Sequence, residues 1–289
     1  MKALLKIELN KAIKNKAFIT SITIGIILAI LSLIYCLSIS AVDNSMASVQ
    51  DSSNIIYDPE IGFSILFNNW IGGEGGSLGT AIFYYIFPIL CALPYGWSYC
   101  VEQKSGYTRL IIAQTGKKTY FMAKYIATFI SGGLAMIIPL ITSILLSALF
   151  FPAITPYPSY DIYYAVFVKS MFSEVYYSHP FLYIFIYLCI NFIFCGIITC
   201  TSMAAASFIK QKYIVTLIPF SICMILHLSM RILYTDPDKD YINLSPFMAM
   251  KPIDMSYRNS PLYIFILSLV LFAATFFITN IWEKKHEVY

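Results

Sequence analysis

The chain has 289 residues, 59% hydrophobic and only 12% charged, with a mean hydropathy of +0.73. A soluble domain carries about twice that charged fraction, so the composition excludes an ordinary soluble protein and points to bilayer spans. The net charge of +4 acquires meaning only on a topology, and no nucleic-acid partner is expected.

The first sixteen residues, Met1–Lys16, have good helix propensity and carry five lysines. Leu5, Leu9, Ala12 and Ile13 form an apolar stripe at helical spacing, which predicts a basic helix on the anionic face of a membrane. The first apolar block runs from about Ala17 to Ile39, too long for a secretory h-region, and reads as an uncleaved span. Five further spans are predicted at about Leu78–Cys100, Phe121–Phe150, Phe181–Ile209, Tyr213–Leu233 and Leu262–Trp282. The fold class is thus an all-α polytopic membrane protein of six transmembrane helices, forming a single transmembrane domain over 1–289. Pro88, Pro94, Pro139 and Pro219 fall inside spans and predict kinks. The Gly72–Gly76 run around Glu74 predicts a flexible break before the second span. The apolar patches Ile61–Trp70 and Leu244–Met250 predict short helices lying on, or dipping into, the outer leaflet.

Lysine and arginine set the orientation. Fourteen of the 19 fall on the side that holds the segment before span one, the loop after span two, Lys210 with Lys212, and Lys284 with Lys285. The other side has Lys169, Arg231, Lys239, Lys251 and Arg258. The positive-inside rule predicts both termini in the cytoplasm and a multi-pass location in the cytoplasmic (inner) membrane.

No P-loop, zinc-protease or nucleophile-elbow motif occurs, so no catalytic, cofactor or metal site is expected in this chain. The seven cysteines all fall in apolar blocks, which predicts no disulfide framework. The deep parts of the spans lack Asp and Glu, which argues against an ion-coupled carrier. His227 and Arg231 share a helix face near the outer end of span five. They read either as a snorkelling arginine with a capping histidine or as part of an outer vestibule. Asn191, mid-span four, reads as packing glue between helices.

The loop after span two is the most informative segment. Glu102, Gly106, Leu110, Ile111, the basic pair Lys117 and Lys118, and Lys124 follow one another between charged ends. An apolar Leu110–Ile112 patch on that side predicts a partner surface. This spacing, with six spans and a basic first helix, resembles the permease subunits of type-2 ABC exporters. The resemblance implies that a separate ATPase subunit binds the loop as a coupling helix and carries the ATP and Mg. It implies a second permease, identical or homologous, and outward movement of an amphiphile such as a peptide antibiotic, a lipid or a hydrophobic drug. It also implies that the last outer loop, about Tyr234–Ser260, folds as short re-entrant helices. The alternative is a non-transporting accessory or sensory membrane protein that binds a partner complex.

Overall fold

The computed structural model describes residues 2–51, 64–156, 166, 170–234, 241–253 and 259–285. Helix α1 spans Lys2–Ile13 and α2 spans Lys16–Asp51, separated by a two-residue bend. Asn15 occupies that bend; its Oδ1 accepts from Ala17 N at 3.1 Å and its Nδ2 donates to Pro94 O. The remaining helices are α3 (Leu78–Ala92), α4 (Ser98–Lys104), α5 (Tyr107–Thr115), α6 (Lys117–Ser147), α7 (Ser173–Ser178), α8 (Pro180–Ala205), α9 (Lys212–Leu233), α10 (Pro246–Ala249) and α11 (Pro261–Lys285).

Five helices are long and apolar enough to cross a membrane: Lys16–Ala41 of α2, then α6, α8, Lys212–Met230 of α9 and Pro261–Ile281 of α11. The second predicted span, 78–100, is not one helix. α3 has 15 residues, about 22 Å of rise against a hydrocarbon core of about 30 Å. It gives way to a turn over residues 93–97 before α4 begins. Pro94 lacks the amide that would continue the helix, and Gly96 lies where a Cβ would press on Ala92 O and on Ser202. Pro88, Pro139 and Pro219 are carried inside continuous helices.

Small residues set how α6 packs against α8. On α6 and α8, a Cβ at Gly133 would collide with Phe192, and one at Gly196 would collide with Phe129. Backbones approach there as they do at other small-residue crossings in membranes. α2 is held to α3 by a bond from Ser21 Oγ to Leu90 O at 2.7 Å. The main core lies between α2, α3, α6 and α8, with Cys223 from α9, and takes in Phe247 and Met250 from around α10. It also takes in Ile65, Leu66, Phe67 and Trp70. Short helices do form in the described parts of the two outer patches, a single turn at Leu66–Asn68 and α10 at Pro246–Ala249, and both pack into this core; residues 61–63 of the first patch, and 235–240 and 254–258 of the last outer loop, lie outside the described residues. The Gly72–Gly76 run is likewise a packed turn, with Gly72 and Gly73 folded against the Trp70 ring. Outward faces carry apolar side chains such as Phe185, Ile225, Phe265 and Leu269, as a lipid-facing surface requires.

Candidate functional site

At the lysine-rich end, α1 lies against α6 with Leu4, Glu8 and Ala12 buried. The protein-facing stripe is thus one residue off the predicted one, with a carboxylate at its centre. Leu5 and Leu9 are half-buried and Ile13 is exposed, so the predicted apolar stripe flanks the docked face.

Glu8 belongs to a closed ring of two carboxylates and two ammonium groups. Its Oε2 meets Lys124 Nζ at 3.0 Å, and its Oε1 meets Lys11 Nζ at 3.2 Å. Glu102 repeats the arrangement, with Oε2 at 2.8 Å from Lys124 Nζ and Oε1 at 3.4 Å from Lys11 Nζ. The ring sums to zero formal charge, so its burial does not strand a net ion. Three tyrosines complete it. Tyr95 donates to Glu8 Oε2 at 2.5 Å, Tyr120 donates to Glu102 Oε2 at 2.7 Å, and Tyr107 accepts from Lys11 at 2.8 Å. Lys124 also donates to the Tyr95 hydroxyl at 3.0 Å. The ring ties α1, the 93–97 turn, α4, α5 and α6 together at one point.

The electrostatics follow from this geometry. Burial acts to raise the Glu8 carboxyl, but Lys124, the Tyr95 hydroxyl and Lys11 together hold it below the usual carboxylate range. Burial acts to lower the Lys11 ammonium, but the Tyr107 hydroxyl and the carboxylates of Glu102 and Glu8 hold it above the usual lysine range.

The structure divides the predicted loop residues. Glu102 and Lys124 are inside the ring, and Lys124 is fully buried. Gly106 links α4 to α5 at φ +75°, a conformation that suits glycine. Leu110 is 66% exposed, while Ile111 is half-buried and Ile112 packs in a core cluster with Leu4, Tyr120 and Phe121. The exposed patch is therefore Leu110 alone among the three. Arg109, its neighbour in the chain, is exposed, as are Lys104 and Lys118, and Lys117 is half-buried. Sequence reasoning missed Glu8, Lys11, Tyr95, Tyr107 and Tyr120. The one available signal was a single carboxylate in a helix otherwise charged only by lysine.

At the other end, His227 Nδ1 lies 2.8 Å from Ser245 Oγ, and its ring packs edge-on to Tyr85 and Phe247. It joins α9 to α3 and α10. The Arg231 side chain lies outside the described residues. A second buried carboxylate stands here, and span counting missed it. Glu74 accepts from Ser32 Oγ on α2 at 2.9 Å and from the amides of Gly76 and Ser77 at 2.9 Å each. The hydroxyls of Ser77 and Thr80 at the start of α3 also donate to it. Ser32 lies about 24 Å along α2 from Lys16, so the loop brings a carboxylate to the depth of the spans.

Among the described residues, no group of three or more His, Cys, Asp or Glu could hold a metal ion. One ring of ion pairs, fully buried at Glu8 and Lys124 and open to solvent at Lys11, links α1, α4–α5 and the head of α6. Comparison with known proteins finds no family model, no curated protein and no solved structure that matches the chain.

Proposed function

We propose that this polytopic all-α membrane protein is the membrane-spanning subunit of a two-component ATP-driven exporter of the type-2 ABC kind, moving an amphiphile outward. The reading takes the lysine-rich end as cytoplasmic, counts the short helix α3 with its turn as a sixth crossing, and expects a second permease beside this one. The single observation that supports it best is the α4–α5 joint. An exposed Leu110, next to Arg109 in the chain, sits on a glycine-hinged pair of helices, and the Glu8–Lys11–Glu102–Lys124 ring wires that pair to α1 and α6. A partner that pushes on α5 would move both the interfacial helix and a span. The chain is read as having no hydrolytic site of its own, so the energy comes from ATP and Mg on the partner. A ligand shifts a two-state equilibrium only through its differential affinity for the two states, and nucleotide on the ATPase would be that ligand.

The test is reconstitution in liposomes, with and without a separate P-loop ATPase that lacks spans, to be sought in the neighbouring reading frame. The chain alone should neither hydrolyse ATP nor move an amphiphile. With the ATPase, hydrolysis should appear and respond to an amphiphilic substrate. Accumulation by the chain alone under a proton or sodium gradient would replace this reading with that of a secondary carrier.

A further inference from the structure

Between the end of α9 and the first turns of α11 lies a cavity of about 490 Å3, within the range of small-molecule sites. Tyr234, the residue that follows α9, and Tyr241 line it with rings stacked at 4.2 Å and planes 8° apart. Leu262, Tyr263 and Ile266 line it from α11. Ile242 and Leu244 add two aliphatic side chains from the segment between the helices. Two of the three phenols are turned to protein: Tyr234 donates to Ile242 O, and Tyr263 donates to Leu244 O at 2.7 Å. Those bonds consume the hydroxyls and cap two backbone carbonyls, so ring and aliphatic carbon dominate the lining. Among the described residues, no charged side chain lines the cavity.

The cavity opens where lipid lies. α11 is one of the membrane spans, and Leu262 and Ile266 are 65% and 50% exposed on a face that continues to Leu269 and Val270. Water is a poor occupant, because a buried water needs about three polar partners. A dry void is poor too, because its lining forgoes dispersion contacts on one side. A neighbouring span, about 10–12 Å across, would fill this volume in roughly one turn, so the space suits a slender chain better than a helix. We infer that an acyl chain of a phospholipid lodges here, drawn from the leaflet farther from the lysine-rich ring. The apolar lining keeps the ionic head group outside the cavity. The chain packs against the end of α9, the 241–244 segment and α11 at once, so lipid completes the joint between them. This site does not depend on the transport reading.

Photocrosslinking of the purified full chain in phosphatidylcholine nanodiscs tests this, with a small share of the lipid carrying a diazirine midway along one acyl chain. Phe185 is the reference: it stands as far into α8 as Ile266 stands into α11 and is 62% exposed. Mass spectrometry of the digest should find adducts on Tyr241, Leu244 and Ile266 severalfold above those on Phe185. Ile266→Trp fills the cavity from an exposed position and should cut the Tyr241 and Leu244 adducts severalfold while leaving Phe185 unchanged. Leu244→Trp, measured at Ile266, should do the same from the opposite wall. Equal labelling of Ile266 and Phe185 in the wild type, as annular lipid alone would give, overturns the inference whatever the variants do. Undiminished labelling in both filled variants overturns it as well.

Discussion

Glu8 and Lys124 lie 116 positions apart in the chain and meet at 3.0 Å, carboxylate to ammonium, both side chains fully buried. Breaking such a pair by removing one partner costs about 3–5 kcal/mol, because a charge is left behind. Lys124→Met should therefore destabilise the protein by about that amount, leaving two carboxylates to one lysine. Glu8→Leu with Lys124→Met should recover part of the loss, because Lys11 and Glu102 remain as a neutral pair. Thermal unfolding of the two single variants and the double variant checks this. Strictly additive effects would mean that the ring is not a unit.

The same ring predicts a pH window. The Glu8 carboxyl is held below its unfolded value of about 4.5, so its contribution is complete above that pH and is lost as pH falls through the lower folded value. The Lys11 ammonium is held above its unfolded value of about 10.5, so its contribution is complete below that pH and is lost as pH rises through the higher folded value. The stability difference between wild type and Glu8→Gln should be constant from about pH 5 to 10 and shrink in acid. A difference that grows in acid would contradict the geometry around Glu8.

Leu110 and Ile112 are two residues apart and should respond oppositely to the same substitution. Leu110→Asp places a charge on an exposed face, where fold stability changes by roughly 0.5 kcal/mol or less. It should nevertheless abolish co-purification of the ATPase, if α5 is the docking helix. Ile112→Asp buries an unpaired charge against Leu4 and Tyr120 and should damage folding itself. Full ATPase binding by Leu110→Asp would remove α5 from the proposed contact.

The long helices were legible because apolar runs of about 20 residues, bounded by lysine or proline, state both the element and its ends. α6, α8, α9 and α11 begin within a few residues of the positions that hydropathy predicts. The break after α3 was written in Pro94-Tyr95-Gly96, yet continuous hydropathy through Cys100 outweighed those turn signals. Glu102 and Lys124 stood out by spacing, but nothing in a one-dimensional pattern says that both face inward to the same partner. Glu8 and Lys11 lie in a segment that reads only as a basic surface helix, because docking against α6 is decided by tertiary packing. Glu74 was hidden for a related reason: it sits in a glycine-rich loop, and only the folded loop carries it down beside Ser32.

That buried loop gives the last prediction. The Glu74 carboxylate accepts two backbone amides on one oxygen and takes the Ser32, Ser77 and Thr80 hydroxyls on the other. It pins the 65–77 segment to α2 and to the first turn of α3, whose exposed amides and dipole favour a negative group there. Hydrogen bonds to a charged group contribute about 1.5–3 kcal/mol each, so Glu74→Ala should cost at least about 3 kcal/mol even after partial relaxation. Glu74→Gln should cost clearly less. Its amide oxygen can still accept from Gly76 and Ser77, while its NH2 faces hydroxyls that can rotate to accept. Asp is too short by one methylene to reach Ser32 and Thr80 while holding both amides, so Glu74→Asp should fall nearer to Ala than to Gln. Thermal midpoints in one detergent give the order, wild type above Gln, and Gln above Asp and Ala. An alanine variant as stable as wild type would mean that the loop holds its place without the carboxylate.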